Sequence, residues 1–127
     1  MEITKMKVIL DTNFLIYCTK EKLDYVEEIG NIINEGFELV VPEQVIGELE
    51  RLKVKTKKGK DKVACDLALK LLVNNKVKIV KPVGKTVDNA IINLAKENNK
   101  NIVCTLDREM RHELGRVILV NRGQKLM

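Results

Sequence analysis

The chain reads as an α/β protein: a three-layer α/β/α sandwich around a mainly parallel five-stranded sheet, in one domain spanning residues 1–127. Three observations predict this. Short β-favouring runs alternate with stretches of helical periodicity, the pattern of a parallel sheet covered on both faces. The strand runs (KVIL, ELVV, VKIV, NIVCT and VILV) are nearly continuously apolar, as strands buried on both sides must be. At 127 residues the chain is also long enough to bury a core.

Taken in order, Met6–Leu10 is the first strand and stops at Asp11. A helix follows from Thr12 and resumes after a polar break near Lys20–Lys22, with Leu23, Val26, Ile29, Ile32 and Ile33 at helical spacing. Gly36 is its expected stop. Glu38–Val41 is the second strand, and Pro42 with Glu43 suits the first turn of the next helix, which carries Val45, Leu49 and Leu52. That helix runs into the basic stretch RLKVKTKKGKDK, where Gly59 interrupts. A further helix holds Val63, Leu67, Leu71 and Leu72. Val77–Val80 is the third strand, Thr86–Asn98 a helix, Asn101–Thr105 the fourth strand, Asp107–Leu114 a short helix closed by Gly115, and Val117–Val120 the fifth strand. Right-handed crossovers leave few arrangements. Of these, the order 3-2-1-4-5 makes strands one and four neighbours across the switch point, where α/β folds bind ligands.

That order matters because of where the acids fall. Asp11, Glu48, Asp88 and Asp107 stand at the carboxyl ends of strands or inside the helices that follow. Each has an ordinary alternative as a cap, a dipole partner or a solvated helix residue. Gathered at one edge, they would repel one another unless a cation neutralised them. The set therefore points to a divalent-metal site.

Composition narrows the partner. The net charge of +5 favours an acidic ligand, nucleic acid above all. Aromatics at 3% argue against recognition by stacking bases on an aromatic platform. Arg51, Lys53, Lys55, Lys57, Lys58 and Lys60 follow the helix bearing Glu48, and Arg108 and Arg111 flank Asp107. A phosphodiester bound at the acids could lay its neighbouring phosphates on them. Cys18, Cys65 and Cys104 lack metal-ligand spacing and read as buried reduced thiols. With no signal peptide and no apolar run of membrane-spanning length, a soluble cytoplasmic protein without membrane contact is expected. Other chemistries fail on their own terms. KKGKDK lacks the first Gly and the final Ser or Thr of a phosphate loop, IVKP offers no phospho-acceptor Asp, and His112 stands alone in a polar segment.

These residues resemble the PIN-domain nucleases along nearly the whole chain. ILDTNFLIY is similar to the family's first motif, VPEQVIGELERL to the second, VDNAIINLAKE to the third, and IVCTLDREM to the fourth. Each alone is weak, whereas all four in order are specific. Leu106 departs from the pattern, standing where many members carry Asn or another small polar residue. The DTNF and DRE segments look more like archaeal relatives of ribosomal-RNA-processing members than like typical VapC-type toxins.

The resemblance implies a metal-dependent endoribonuclease holding Mg²⁺ or Mn²⁺. Asp11 and Asp107 would be its central ligands, Glu48 and Asp88 would complete the set, and Asn13 and Thr105 would orient ligands or waters. It implies RNA as substrate, in RNA processing or as a toxin. It allows a homodimer, for which the Val63–Val73 helix could supply a surface, and an antitoxin or ribosome-assembly partner. The alternative is a catalytically silent RNA-binding module within a larger complex. A flavodoxin-like small-molecule domain lacks the phosphate loop it would need.

Overall fold

The structure, a computed structural model, describes residues 6–56, 59–110, 114 and 117–119. Its elements are β1 (Met6–Leu10), α1 (Thr12–Lys20), α2 (Tyr25–Ile32), β2 (Phe37–Pro42), α3 (Glu43–Lys55), α4 (Gly59–Asn74), β3 (Lys78–Val80), α5 (Val87–Ala95), β4 (Ile102–Thr105) and β5 (Val117–Leu119). The strands form one sheet in the order β3-β2-β1-β4-β5, every pair parallel. This is the expected order. Val8 pairs with Leu39 on one side and Ile102 on the other, so β1 is the central strand and ends level with β4.

The apolar runs of β1, β2 and β4 do what their composition requires, whereas β3 starts at Lys78 and, at the sheet edge, leaves Ile79 exposed. Val8, Ile9, Leu10, Val40, Val41 and Val103 are fully buried between the helical layers. Asn101 is a polar exception with both ends satisfied: Oδ1 accepts from the Lys7 N–H at 3.1 Å, and Nδ2 donates to the Leu94 carbonyl at 3.1 Å. It joins the start of β1 to the end of α5. The three cysteines are free and buried, as expected, and burial pushes the Cys18 thiol up to about 12. Among the described residues no helix is long and apolar enough to cross a membrane.

Boundaries shift in instructive ways. The second helix ends at Ile32 with Ile33 already extended as its cap, short of Gly36, because the chain straightens early to enter β2. Pro42 is the last residue of β2 and the cap of α3, not its first turn. Thr86, expected inside the fifth helix, is its cap and accepts from the Asn89 N–H at 3.1 Å. α4 starts at Gly59 itself. The α4 stretch offered as a pairing surface is divided: Ala64, Cys65, Ala68 and Leu72 are buried, while Val63 and Val73 face outward. Of the helix expected over Asp107–Leu114, one bond is described, from the Leu114 N–H to the Met110 carbonyl. Gly115 and His112 lie outside the described residues.

Candidate active site

β1 and β4 end side by side, and that junction sets the geometry. Asp11 follows β1 and is 5% exposed, an unusual state for a carboxylate and one that demands partners. Its Oδ1 accepts from the Thr12 N–H at 2.8 Å and its Oδ2 from the Thr105 hydroxyl at 2.7 Å. The same Thr105 oxygen accepts from the Asp107 N–H at 3.0 Å. A single hydroxyl thus joins the ends of both strands and relates the two aspartates. Thr105 is itself fully buried, so this link is shielded from water.

Desolvation raises the Asp11 carboxyl above its ordinary value; the hydrogen bonds from Thr105 and Thr12 oppose that, and the charges of Asp88 and Glu48 add to it. Two of the other predicted acids, Asp88 and Glu48, are therefore near enough for their charges to act on Asp11. Asp107 joins them through Thr105 rather than through its own carboxylate, whose Oδ1 accepts from the Glu109 N–H at 2.9 Å. Glu48 is half-buried on α3, and Asp88 is exposed in the first turn of α5. Asn13 is exposed in the first turn of α1. Leu106, the departure from the motif, packs against the hydrophobic core.

What brings α3 and α5 together was not legible beforehand. Gln44, one helical turn before Glu48, donates Nε2 to both the Pro82 and the Gly84 carbonyls, each at 2.9 Å. Gly84 then lies so close to α5 that a Cβ there would stand 2.5 Å from the Ala90 nitrogen. Asn93 reaches back from α5 to the Val83 carbonyl at 2.6 Å. These bonds lock the segment after β3 between the helices bearing Glu48 and Asp88. The Gly in PVGKT, just before a Thr cap, was the one available sign.

The basic residues separate into groups. Arg51 and Lys55 are exposed on α3. Lys53, by contrast, is held by Asp66 of α4 at 2.8 Å, and Lys70 binds the other oxygen of Asp66 at 3.0 Å. The two cations keep the Asp66 carboxyl below its usual range. Lys53 thus serves helix packing. Lys60 is exposed on α4 and Arg108 beyond β4, while Lys57, Lys58 and Arg111 lie outside the described residues.

Whether a hard divalent cation suits this edge can be judged from its donors. Among the described residues no three acidic, Cys or His side chains close into a metal cage. Mg²⁺ does not need one, since it keeps several waters and is held by one or two carboxylates with the substrate. The donors are all oxygens, and the central carboxylate ionises reluctantly without a compensating charge. The neighbouring Thr12 hydroxyl is buried without a hydrogen-bond partner, so protein groups alone do not satisfy this corner. The residues fit.

A parallel sheet of this order with acids at the β1/β4 junction is the architecture expected of a PIN-like fold. Residues 8–121 match the family model described as a PIN like domain. The chain belongs to the PIN-domain ribonuclease family, which bears out the expectation of an enzyme. Among individual relatives, Ribonuclease VapC4 of Methanocaldococcus jannaschii is 43% identical over 109 residues, covering 85% of this chain and 82% of that one. Among solved structures, the PIN domain endonuclease Utp24 matches with a TM-score of 0.74 at 20% identity, over 94% of this chain and 88% of the other. VapBC2 from Rickettsia felis, bound to a DNA fragment from their promoter, matches with a TM-score of 0.64 at 16% identity, over 91% and 100%. These structural likenesses establish the shared fold.

Proposed function

We propose that the chain is a metal-dependent endoribonuclease that hydrolyses RNA phosphodiester bonds at the β1/β4 junction. The observation that carries this is Asp11: a buried carboxylate at a strand end, held by Thr105 and faced by Glu48 and Asp88. Burying such a group among like charges costs stability, and a cation with its substrate would offset that cost. Asp11 and Asp107 would hold Mg²⁺ or Mn²⁺, with Glu48 and Asp88 completing the shell directly or through water. The ion's contribution is Lewis acidity, which acidifies water and neutralises charge building on the phosphoryl oxygens. Hydrolysis adds water across one P–O bond, and the leaving oxygen takes up the proton. Within this scheme Thr105 keeps one Asp11 oxygen turned to a fixed direction, the role of a group that orients a ligand. Asn13, exposed at the start of α1, would contact water or substrate.

A relative that is 43% identical and named for VapC favours a toxin-type role over RNA maturation. That is a change of emphasis from the DTNF and DRE segments, and it makes a small antitoxin the expected partner. A homodimer is compatible with the outward-facing Val63 and Val73 of α4.

The decisive test is cleavage of single-stranded and hairpin RNAs by the unsubstituted chain and by Asp11→Asn, each with Mn²⁺, Mg²⁺ or excess chelator. Cleavage by the unsubstituted chain alone, lost on chelation, is expected. Asp11→Asn should lower the rate by about 10³-fold or more, the scale of losing electrostatic stabilisation at a reacting centre. RNA retention without cleavage would favour the silent binding module, and equal cleavage by both chains would sink the assignment to Asp11.

A further inference from the structure

Two clefts meet on the outer side of α3. One, of about 510 Å³, is lined by Glu48, Gly47 and Arg51 on α3 and by Lys85, Thr86 and Val87 opposite. The next, of about 500 Å³, is lined by Gly47, Arg51, Val54 and Lys55. Gly47 and Arg51 belong to both, so the clefts form one groove that starts beside Glu48 and follows the helix away from the acids. Gly47 presents no side chain to it, and the Arg51 Nη1 lies 3.5 Å from where a Cβ would stand, an ordinary contact. The guanidinium therefore lies back over the glycine.

We propose that this groove carries the single-stranded RNA backbone out of the active site, with Arg51 and Lys85 gripping one phosphate from opposite walls and Lys55 the next. The inference rests on the nuclease reading and specifies which cations serve it. Arg51, Lys55 and Lys85 take part in none of the ion pairs among the described residues, whereas Lys53 is neutralised by Asp66. Glu43 and Glu50 also line the groove. Their repulsion of a phosphate makes binding depend on the unpaired cations. Arg51 and Lys55 are one turn apart, a rise of about 6 Å along the helix, which is of the order of one nucleotide step. Val54, 80% exposed, gives the ribose an apolar floor without base stacking.

The test uses the full chain carrying Asp11→Asn, so that RNA survives, with Mg²⁺ present and a fluorescently labelled single-stranded RNA titrated over a range of salt. Each phosphate contact to a single strand contributes about 0.7 to the slope of log affinity against log salt. Adding Arg51→Ala and Lys85→Ala together should make the slope shallower by about 0.7, because the two grip the same phosphate. Lys53→Ala should leave it unchanged. Gly47→Leu should weaken binding while melting no lower than its parent, since Leu is the better helix former; a simple folding defect would lower both. An unchanged slope in the double variant, with RNA still bound, overturns the groove and leaves the nuclease standing. If neither the Asp11→Asn chain nor the unsubstituted one binds RNA, both readings fall.

Discussion

The two sides of the candidate active site are built on opposite principles. At the β1/β4 junction, Asp11 and Thr105 are buried and the Asp11 carboxylate is held by internal bonds of 2.8 and 2.7 Å. At the rim, Glu48 and Asp88 ride on helices whose spacing is set by Gln44 and Gly84, Glu48 half-buried and Asp88 exposed. The buried side fixes one carboxylate in place against its own electrostatic interest. The rim supplies charges that can adjust to a cation and to substrate.

Thr105→Val is the strongest way to break the buried side. The substitution keeps the shape and removes the hydroxyl that donates to Asp11 and accepts from the Asp107 N–H. A lost bond to a charged group, with buried partners left unmatched, costs about 3 kcal/mol. Urea denaturation should show that loss, and a value under about 0.5 kcal/mol would mean the link between the strands carries little.

Gly84→Ala attacks the rim instead. Its Cβ would stand 2.5 Å and 2.8 Å from backbone atoms of Ala90, so α5 must move or the segment after β3 must detach from Gln44. The cost is about 2 kcal/mol, typical of overpacking against backbone. Because α5 carries Asp88, the rise in melting temperature that Mn²⁺ gives the unsubstituted chain should also shrink. Loss of stability with an undiminished Mn²⁺ response would show that Asp88 does not contribute to the ion.

These two residues also mark how far the sequence could be read. The sheet order was legible because buried parallel strands must be mostly apolar, and β1, β2 and β4 are, with Lys7 and Glu38 only partly buried near the strand starts. The places of Asp11, Asp88 and Asp107 were legible because strand ends and first turns can be placed to within a residue or two, and that of Glu48, in the second turn of α3, followed from the helical spacing after Pro42. Gln44 was not, since its partners are carbonyls 38 and 40 residues away whose positions depend on how closely Gly84 approaches α5. Nor could the run from Arg51 to Lys60 be sorted. Lys53 is consumed by an acid on α4, and Lys85, which completes the groove, comes from another part of the chain. A run of like charges shows where cations are abundant, and only packing shows which are free.

The smallest effect separates the two sides by pH. Asp11 has its carboxyl raised, desolvation outweighing the bonds from Thr105 and Thr12. The folded chain therefore holds that proton at pH values where the unfolded chain has released it. Stability from this group is greatest below the unfolded value and declines as pH climbs through the raised one. Asp11→Asn removes the titration, so the metal-free variant should lose less stability than its parent as pH rises from about 4 towards neutrality. The difference is expected to be modest, because two hydrogen bonds already offset part of the desolvation. It should also vanish when Mn²⁺ is added to the unsubstituted chain, since a cation favours the charged form that burial penalises. Parallel pH profiles with and without Asp11→Asn would place the strain elsewhere in the site and remove the electrostatic reason for a metal at this edge.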